Sequence, residues 1–267
     1  MTKEAFDQHT LRLKLEGYTI LPGLLTPEEC ATGRAELEAR YPDRDRGAFE
    51  FLFNKARIFE RVYQVDDLRR VIRHFIGQDA ILSAVYGSVI QPGEGGRGLH
   101  ADGAITGHNR AESMAPVDEG RRITSHPMGI NVVFCFSDFT ATNGATEIVP
   151  GSHRHEGLDI PQEAYQLART AVAEEGSAII FDINTWHGTT KNQTDTPRYA
   201  TLSPWRRRWT KIEYDMAQMV KPEVLERAGE DGPLIFGLPA QVPYTERWQW
   251  DRDTGAPKPE WAHLKRP

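Results

Sequence analysis

Between residues 81 and 204 the apolar residues come in short runs, each closed off by glycine or proline. Residues 81–90, 128–136, 146–149, 176–182 and 198–202 are runs of this kind, rich in β-branched side chains. Runs so short and so punctuated bury a face by pairing edge to edge, so the stretch is predicted to be antiparallel sheet. The sequence before it reads differently. A short helix is expected over about 6–18, leading into a strand over Gly17-Tyr18-Thr19-Ile20-Leu21. Thr26 is a good N-cap, Pro27 suits the first helical position, and Glu29 closes a capping box, so a helix should run to about Arg40. Leu68, Val71, Ile72 and Phe75 share one helical face ahead of Gly77, which predicts another over about 67–76.

Three stretches are less regular. Phe49, Phe51 and Phe53 alternate as in a strand, though 50–62 also fits an aromatic loop beside a pocket. Residues 161–171 are expected to form a surface helix. After Pro204 the chain is tail-like, with a helix near 221–228 and a Pro-, Trp- and charge-rich end. The expected architecture is an all-β core with flanking helices, a double-stranded β-helix (jelly-roll, cupin-like) with a ligand cavity in its mouth. At 267 residues one domain spanning 1–267 is expected: a mostly helical part over 1–80, the jelly-roll core over 81–204, and a C-terminal extension over 205–267.

Composition narrows the partners. A formal net charge of −6 gives no general attraction to nucleic acid or to an anionic membrane. Two distant cysteines, Cys30 and Cys135, cannot build a disulfide framework, and both fit apolar settings as buried thiols. The N-terminus starts no apolar leader and no run approaches a membrane span, so a cytoplasmic protein acting on a small molecule is expected.

Chemistry enters at Gly98-Leu99-His100-Ala101-Asp102. On a strand, a spacing of two turns the imidazole of His100 and the carboxylate of Asp102 to one side. A second histidine, His187, follows the apolar run 176–182 inside Trp186-His187-Gly188-Thr189. Two imidazoles and one carboxylate on one face of an ion leave three positions open, the pattern of non-haem Fe(II) oxygenases. Arg198 follows eleven residues after His187, where a returning strand can bring a guanidinium to the same pocket. Zinc on the same residues would make a hydrolase site, but that leaves Arg198 unexplained. A non-catalytic jelly-roll binding module is the rival from another class, and the intact His100, Asp102, His187 and Arg198 argue against it.

The run from about 82 to 204 resembles the phytanoyl-CoA dioxygenase family of Fe(II)/2-oxoglutarate-dependent oxygenases. His100-x-Asp102 is similar to its first metal motif. Asn143-Gly144-Ala145-Thr146 with Val149-Pro150-Gly151-Ser152-His153 is similar to its most characteristic signature, and Trp186-His187-Gly188 resembles its distal-histidine motif. Gly17-Tyr18 with Thr26-Pro27-Glu28-Glu29 extends the likeness towards the N-terminus. The resemblance implies Fe(II), 2-oxoglutarate and dioxygen as the reagents, with His100, Asp102 and His187 as ligands. It also implies that Arg198 grips the far carboxylate of 2-oxoglutarate, with Thr189 as a second donor. Family members often carry a glutamine two residues before the first histidine; here Gly98 stands there and Gln91 lies upstream. The expected reaction is hydroxylation of an unactivated C–H bond of a metabolite, probed against desaturation, cyclisation or epoxidation by the same oxidant.

Secondary roles follow with their bland counterparts. Asn131, polar in an apolar strand, either points at the cosubstrate or pairs with backbone across the sheet. Asp182 either supports a ligand imidazole or ends its strand. His153 and His126 read as structural turn residues. Phe51, Phe53, Phe59, His108, Asn109, Trp205 and Arg206 are the candidates for the substrate pocket, each phenylalanine being equally suited to core packing. Residues 103–125 read as a loop of the kind that closes over a site.

Overall fold

A computed structural model describes residues 1–103, 122–157, 159–210, 214–238 and 258–259 of the chain. Helix α1 (Lys3–Glu16) is capped by the Thr2 hydroxyl and ends on left-handed Gly17, which turns the chain into β1 (Tyr18–Leu21). Helix α2 (Pro27–Arg40) starts on the expected capping box, with the Thr26 hydroxyl accepting from Glu29 N and the Glu29 carboxylate accepting from Thr26 N. Short helices α3 (Arg61–Gln64) and α4 (Asp66–Ile76) follow. The strands are β2 (Ile81–Leu82), β3 (Tyr86–Ile90), β4 (Gly129–Cys135), β5 (Thr146–Ile148), β6 (Arg169–Thr170), β7 (Ala178–Asp182), β8 (His187–Thr189) and β9 (Arg198–Arg206).

Two antiparallel sheets form from them. The larger has the order β1-β7-β4-β9-β2, with β3 also pairing β9; the smaller has the order β6-β5-β8. Side-chain alternation assigns the two faces of the large sheet. Ile130, Val132 and Phe134 of β4, Ile180 of β7, and Tyr199 and Trp205 of β9 share the outer cluster with Leu13, Leu37, Leu68, Val71 and Ile72 of the helices. Val133, Cys135, Ile179, Phe181 and Ala200 point the other way and meet Ile148, Ala145, Phe139 and Ala171 from the small-sheet side. Strand β4 is therefore covered on both faces, and every residue in it is buried. Helix α2 comes close enough for Gly33 to lie against the Phe136 ring, where a Cβ would collide.

Several expectations change in three dimensions. Residues 50–62 form no strand: 3-10 turns over Leu52–Asn54 and Arg57–Glu60 lead into α3. Phe51 has φ 48°, so the alternation of Phe49, Phe51 and Phe53 is broken by a left-handed residue. The run 81–90 splits into β2 and β3 around Ser83–Val85, and both halves pair with β9. Residues 161–171 make a 3-10 turn (Gln162–Leu167) and then β6 rather than a helix.

The C-terminal stretch is not a tail where it is described. Helices α5 (Met216–Met219), α6 (Pro222–Ala228) and α7 (Gly232–Ile235) bury Met216, Val220, Val224, Ile235 and Phe236 in the outer cluster. Phe236 packs against Phe53 and Tyr63, with centroids 5.3 and 5.4 Å apart. Buried Glu60 takes the Tyr63 hydroxyl at 2.8 Å and the Arg227 guanidinium at 2.5 and 2.9 Å, tying α6 to the N-terminal part. Phe236→Ala should therefore lower the unfolding free energy by about 3–5 kcal/mol, read as a shift in denaturant midpoint.

Candidate metal centre

His100 and His187 are joined through the backbone before their side chains meet. His100 N donates to His187 O at 2.8 Å, and His187 N donates to His100 O at 2.9 Å. Such a hydrogen-bonded antiparallel pair presents both side chains on one face, and the two imidazole centroids lie 4.2 Å apart. His100 does not sit on an extended strand with Asp102. It makes this single bridge, and Asp102 follows in a bend whose N–H donates to Ile183 O at 2.9 Å. The bend still turns the carboxylate inward. His100 Nε2 is 3.7 Å from Asp102 Oδ1, and His187 Nε2 is 3.6 Å from Asp102 Oδ2. Among the described residues, these three form the group of ligating side chains able to hold an ion.

Gly188 makes the approach possible. A Cβ there would lie 2.5 Å from the Arg97 carbonyl oxygen, so any side chain would push the 97–100 segment off β8. The Tyr165 hydroxyl holds that segment from outside by accepting from Leu99 N at 3.1 Å.

Both imidazoles are held in the tautomer that a metal would need. His100 Nδ1–H donates to Gly98 O at 3.0 Å and His187 Nδ1–H to Thr185 O at 2.9 Å, so each Nε2 lone pair faces the shared point. Burial, with His187 and Arg97 close by, pulls the His100 pKa down to about 4. Burial likewise lowers that of His187. Neutral imidazole at physiological pH is the form a metal needs. Asp102 accepts from Asn131 Nδ2 at 2.7 Å.

Arg198 starts β9 on the inner face and is 2% exposed. Burial lowers its pKa to about 10, which leaves it charged near neutrality. Its Nη1 reaches Ser88 Oγ at 3.4 Å, its Cζ lies 4.6 Å over the Phe139 ring, and its Nε has no hydrogen bond. No carboxylate pairs with it among the described residues. A buried cation so thinly satisfied is costly unless an anion joins it. Phe139 belongs to the same apolar layer as Phe181, whose ring is 4.5 Å from His187, so this layer connects the guanidinium to the ligand cluster. The donor set and the unpaired guanidinium fit a divalent ion with a dicarboxylic chelator.

The other expected residues divide. Thr189 lies on β8 with its hydroxyl oxygen accepting from Arg97 N at 3.1 Å, so its proton can still be donated inward. Asn131 and Arg206 join the ligand side of the site, with Arg206 Nη1 donating to Asn131 Oδ1 at 3.3 Å. Gln91 lies past the end of β3 beside Tyr41 and Glu94, on the helical side and away from the inner face. Phe51, Phe53, Phe59 and Trp205 are also displaced from the site: all four lie in the outer cluster. Phe51 packs on Phe53 and Tyr214, and Phe59 on Phe136. Trp205 faces the helices because it stands at an odd-numbered position of β9. His108, Asn109 and most of the 103–125 loop lie outside the described residues.

Asp182 supports neither imidazole. Its Oδ1 accepts from Asn184 N at 2.8 Å. His153 packs in its turn, its Nε2 3.3 Å from Lys14 O, and His126 pairs with Ser125 at 2.9 Å. Ser88, Phe139 and the two carbonyls that set the imidazole tautomers carried no sequence signal.

Two imidazoles and a carboxylate brought to one point in a jelly roll make a set that could hold a divalent ion with positions left open. The chain belongs to the phytanoyl-CoA dioxygenase (PhyH) family, whose model matches residues 13–200. It is 31% identical over 111 residues to the uncharacterized protein Rv1501 of Mycobacterium tuberculosis, covering 40% of each chain. With dioxygenase trt7 of Aspergillus terreus it shares 25% identity over 205 residues, 70% of this chain and 68% of that one. In fold it is similar to HygX of Streptomyces hygroscopicus, a structure with nickel and 2-oxoglutarate bound. The TM-score is 0.62 at 18% identity, over 80% of this chain and 90% of that one.

Gly188→Ala should lower the affinity of the protein for Co(II) roughly tenfold or more, measured by titration of metal-free protein. Asp182 gives a pH test. Burial raises its pKa from 3.8 to about 6, so the folded state holds a proton that the unfolded state has released. Wild-type stability should therefore fall as pH rises from about 4 to 6. Asp182→Asn should remove that fall and be more stable at pH 7 by on the order of 2 kcal/mol, with no such gain at pH 3.

Proposed function

We propose that this chain is an Fe(II)- and 2-oxoglutarate-dependent dioxygenase that hydroxylates an unactivated C–H bond of a small metabolite in a biosynthetic pathway, releasing succinate and carbon dioxide. The observation that carries the reading is the pairing of an open His100–Asp102–His187 cluster with a buried guanidinium that has no anion partner among the described residues. His100, Asp102 and His187 would hold the iron, and Arg198 with Thr189 would hold the far carboxylate of 2-oxoglutarate. Bound iron and 2-oxoglutarate together supply the oxidising equivalents drawn from dioxygen.

The chain's own residues do the rest. Nδ1 hydrogen bonds to Gly98 O and Thr185 O keep both imidazoles aimed without rearrangement. The guanidinium matches a carboxylate in a two-pronged contact, which fixes the cosubstrate's reach from the far end. Phe139 under the guanidinium and Phe181 beside His187 belong to one buried apolar cluster, and charge interactions beside such a cluster are stronger than in water. Trt7, a relative named as a dioxygenase, supports the reaction class.

Both cysteines are buried free thiols, which suits a reducing cytoplasm, and we assign the chain there as one dioxygenase domain acting on a small molecule without nucleic acid or membrane. No helix among the described residues is long and apolar enough to cross a membrane.

Anaerobic addition of Fe(II) and 2-oxoglutarate should produce a visible charge-transfer band, and aerobic turnover should yield succinate. Arg198→Gln should still bind Fe(II) but lose the band at cosubstrate concentrations that saturate wild type, an affinity loss of roughly 100-fold, about 3 kcal/mol. A wild-type protein with neither band nor succinate would instead be a binding module.

A further inference from the structure

We infer that Arg206 is a positioning residue: it fixes which way the Asn131 amide faces, and through that amide it holds the Asp102 carboxylate in place for the metal. This rests on the metal reading of the His100–Asp102–His187 cluster. It also gives Asn131 and Arg206 a task other than touching cosubstrate or substrate.

Asn131 is the polar residue of β4, 1% exposed, with Phe181 and Pro204 as its register partners. Its amide spans two groups. Nδ2 donates to Asp102 Oδ2 at 2.7 Å, and Oδ1 accepts from Arg206 Nη1 at 3.3 Å. The two ends of an amide are nearly the same in shape and opposite in hydrogen bonding, so shape alone leaves the orientation free. A guanidinium can only donate. With Arg206 on one side, the amide oxygen must face it, and the NH2 group is then turned onto Asp102. Flipped, the amide would set donor against donor at Arg206 and oxygen against oxygen at Asp102. Both contacts would fail together.

The route by which Arg206 gets there is built into the sheet. Arg206 ends β9 directly opposite Gly129 of β4. A Cβ on Gly129 would lie 2.9 Å from both Cδ and Nη1 of Arg206, so the glycine leaves the lane along which the side chain crosses to Asn131 two residues on. Nη1 also donates to Trp205 O at 3.1 Å, which anchors the guanidinium to its own strand end. The consequence for Asp102 is geometric. With one edge of the carboxylate held by a rigid amide on a central strand, rotation about its side chain is blocked, although the residue itself lies in a bend.

The test compares Co(II) binding to metal-free protein by calorimetry and by the Co(II) visible spectrum, alongside thermal unfolding of the metal-free form. Arg206→Met should weaken Co(II) binding 10- to 100-fold and alter the spectrum, the usual range for losing such a support. Arg206→Lys, which still donates from a charged nitrogen, should recover most of the affinity. In an Asn131→Ala background, which itself weakens binding, Arg206→Met should have no further effect on affinity, whatever either change does to stability. Wild-type affinity in Arg206→Met, while His187→Ala loses Co(II), would overturn the relay and leave the metal site standing. So would full additivity in the Asn131→Ala background. A wild-type protein that binds Co(II) no better than His187→Ala would overturn the metal reading itself.

Discussion

Two backbone hydrogen bonds exchanged between His100 and His187 hold the rest of the site in register. They are 2.8 and 2.9 Å long and join residues far apart in sequence. Once that pair is made, antiparallel geometry leaves the imidazoles little choice but to lie side by side, and the chain's next bend delivers Asp102 to the same point. The pairing in turn requires that nothing stand between the 97–100 segment and β8, which is why the residue after the second histidine is a glycine. The convergence of the three side chains is thus a property of one cross-strand contact.

The large sheet separates stability from chemistry by the parity of its strands. One set of alternate positions meets the helices and, from the far end of the chain, Phe236 and its neighbours. The other set faces the smaller sheet and carries Asn131, Phe181 and Arg198. A buried, poorly satisfied cation is a liability to folding, and Arg198 is tolerable because the outer cluster is extensive and because its guanidinium rests on Phe139. The same parity separates Arg206 from Trp205: adjacent in sequence, one belongs to the site and the other to the helix-covered core.

Much of this was legible in the sequence where a local rule applies. The capping box at Thr26 and Glu29, the amphipathic face of 67–76 and the short apolar runs specify their elements through nearest neighbours and periodicity. Phe51 and Phe53 show where such rules stop. Their spacing suits a strand, but one left-handed residue and a set of partners from beyond residue 210 decide their fate. Of the C-terminal helices, the one near 221–228 shows in the sequence, whereas α5 and α7, four residues each, are held by packing rather than by propensity.

By itself the sequence determined the side chains that could ligate an ion, two histidines and one aspartate, together with an arginine at a spacing that a sheet can converge, because side-chain type and strand alternation are local facts. Tertiary structure alone decided that Asn131 faces Asp102, that Arg206 turns inward while Trp205 turns out, and that Gln91 sits with Tyr41. Each of those outcomes depends on which strand lies opposite, and strand order is fixed by the packing of the two sheets as a whole.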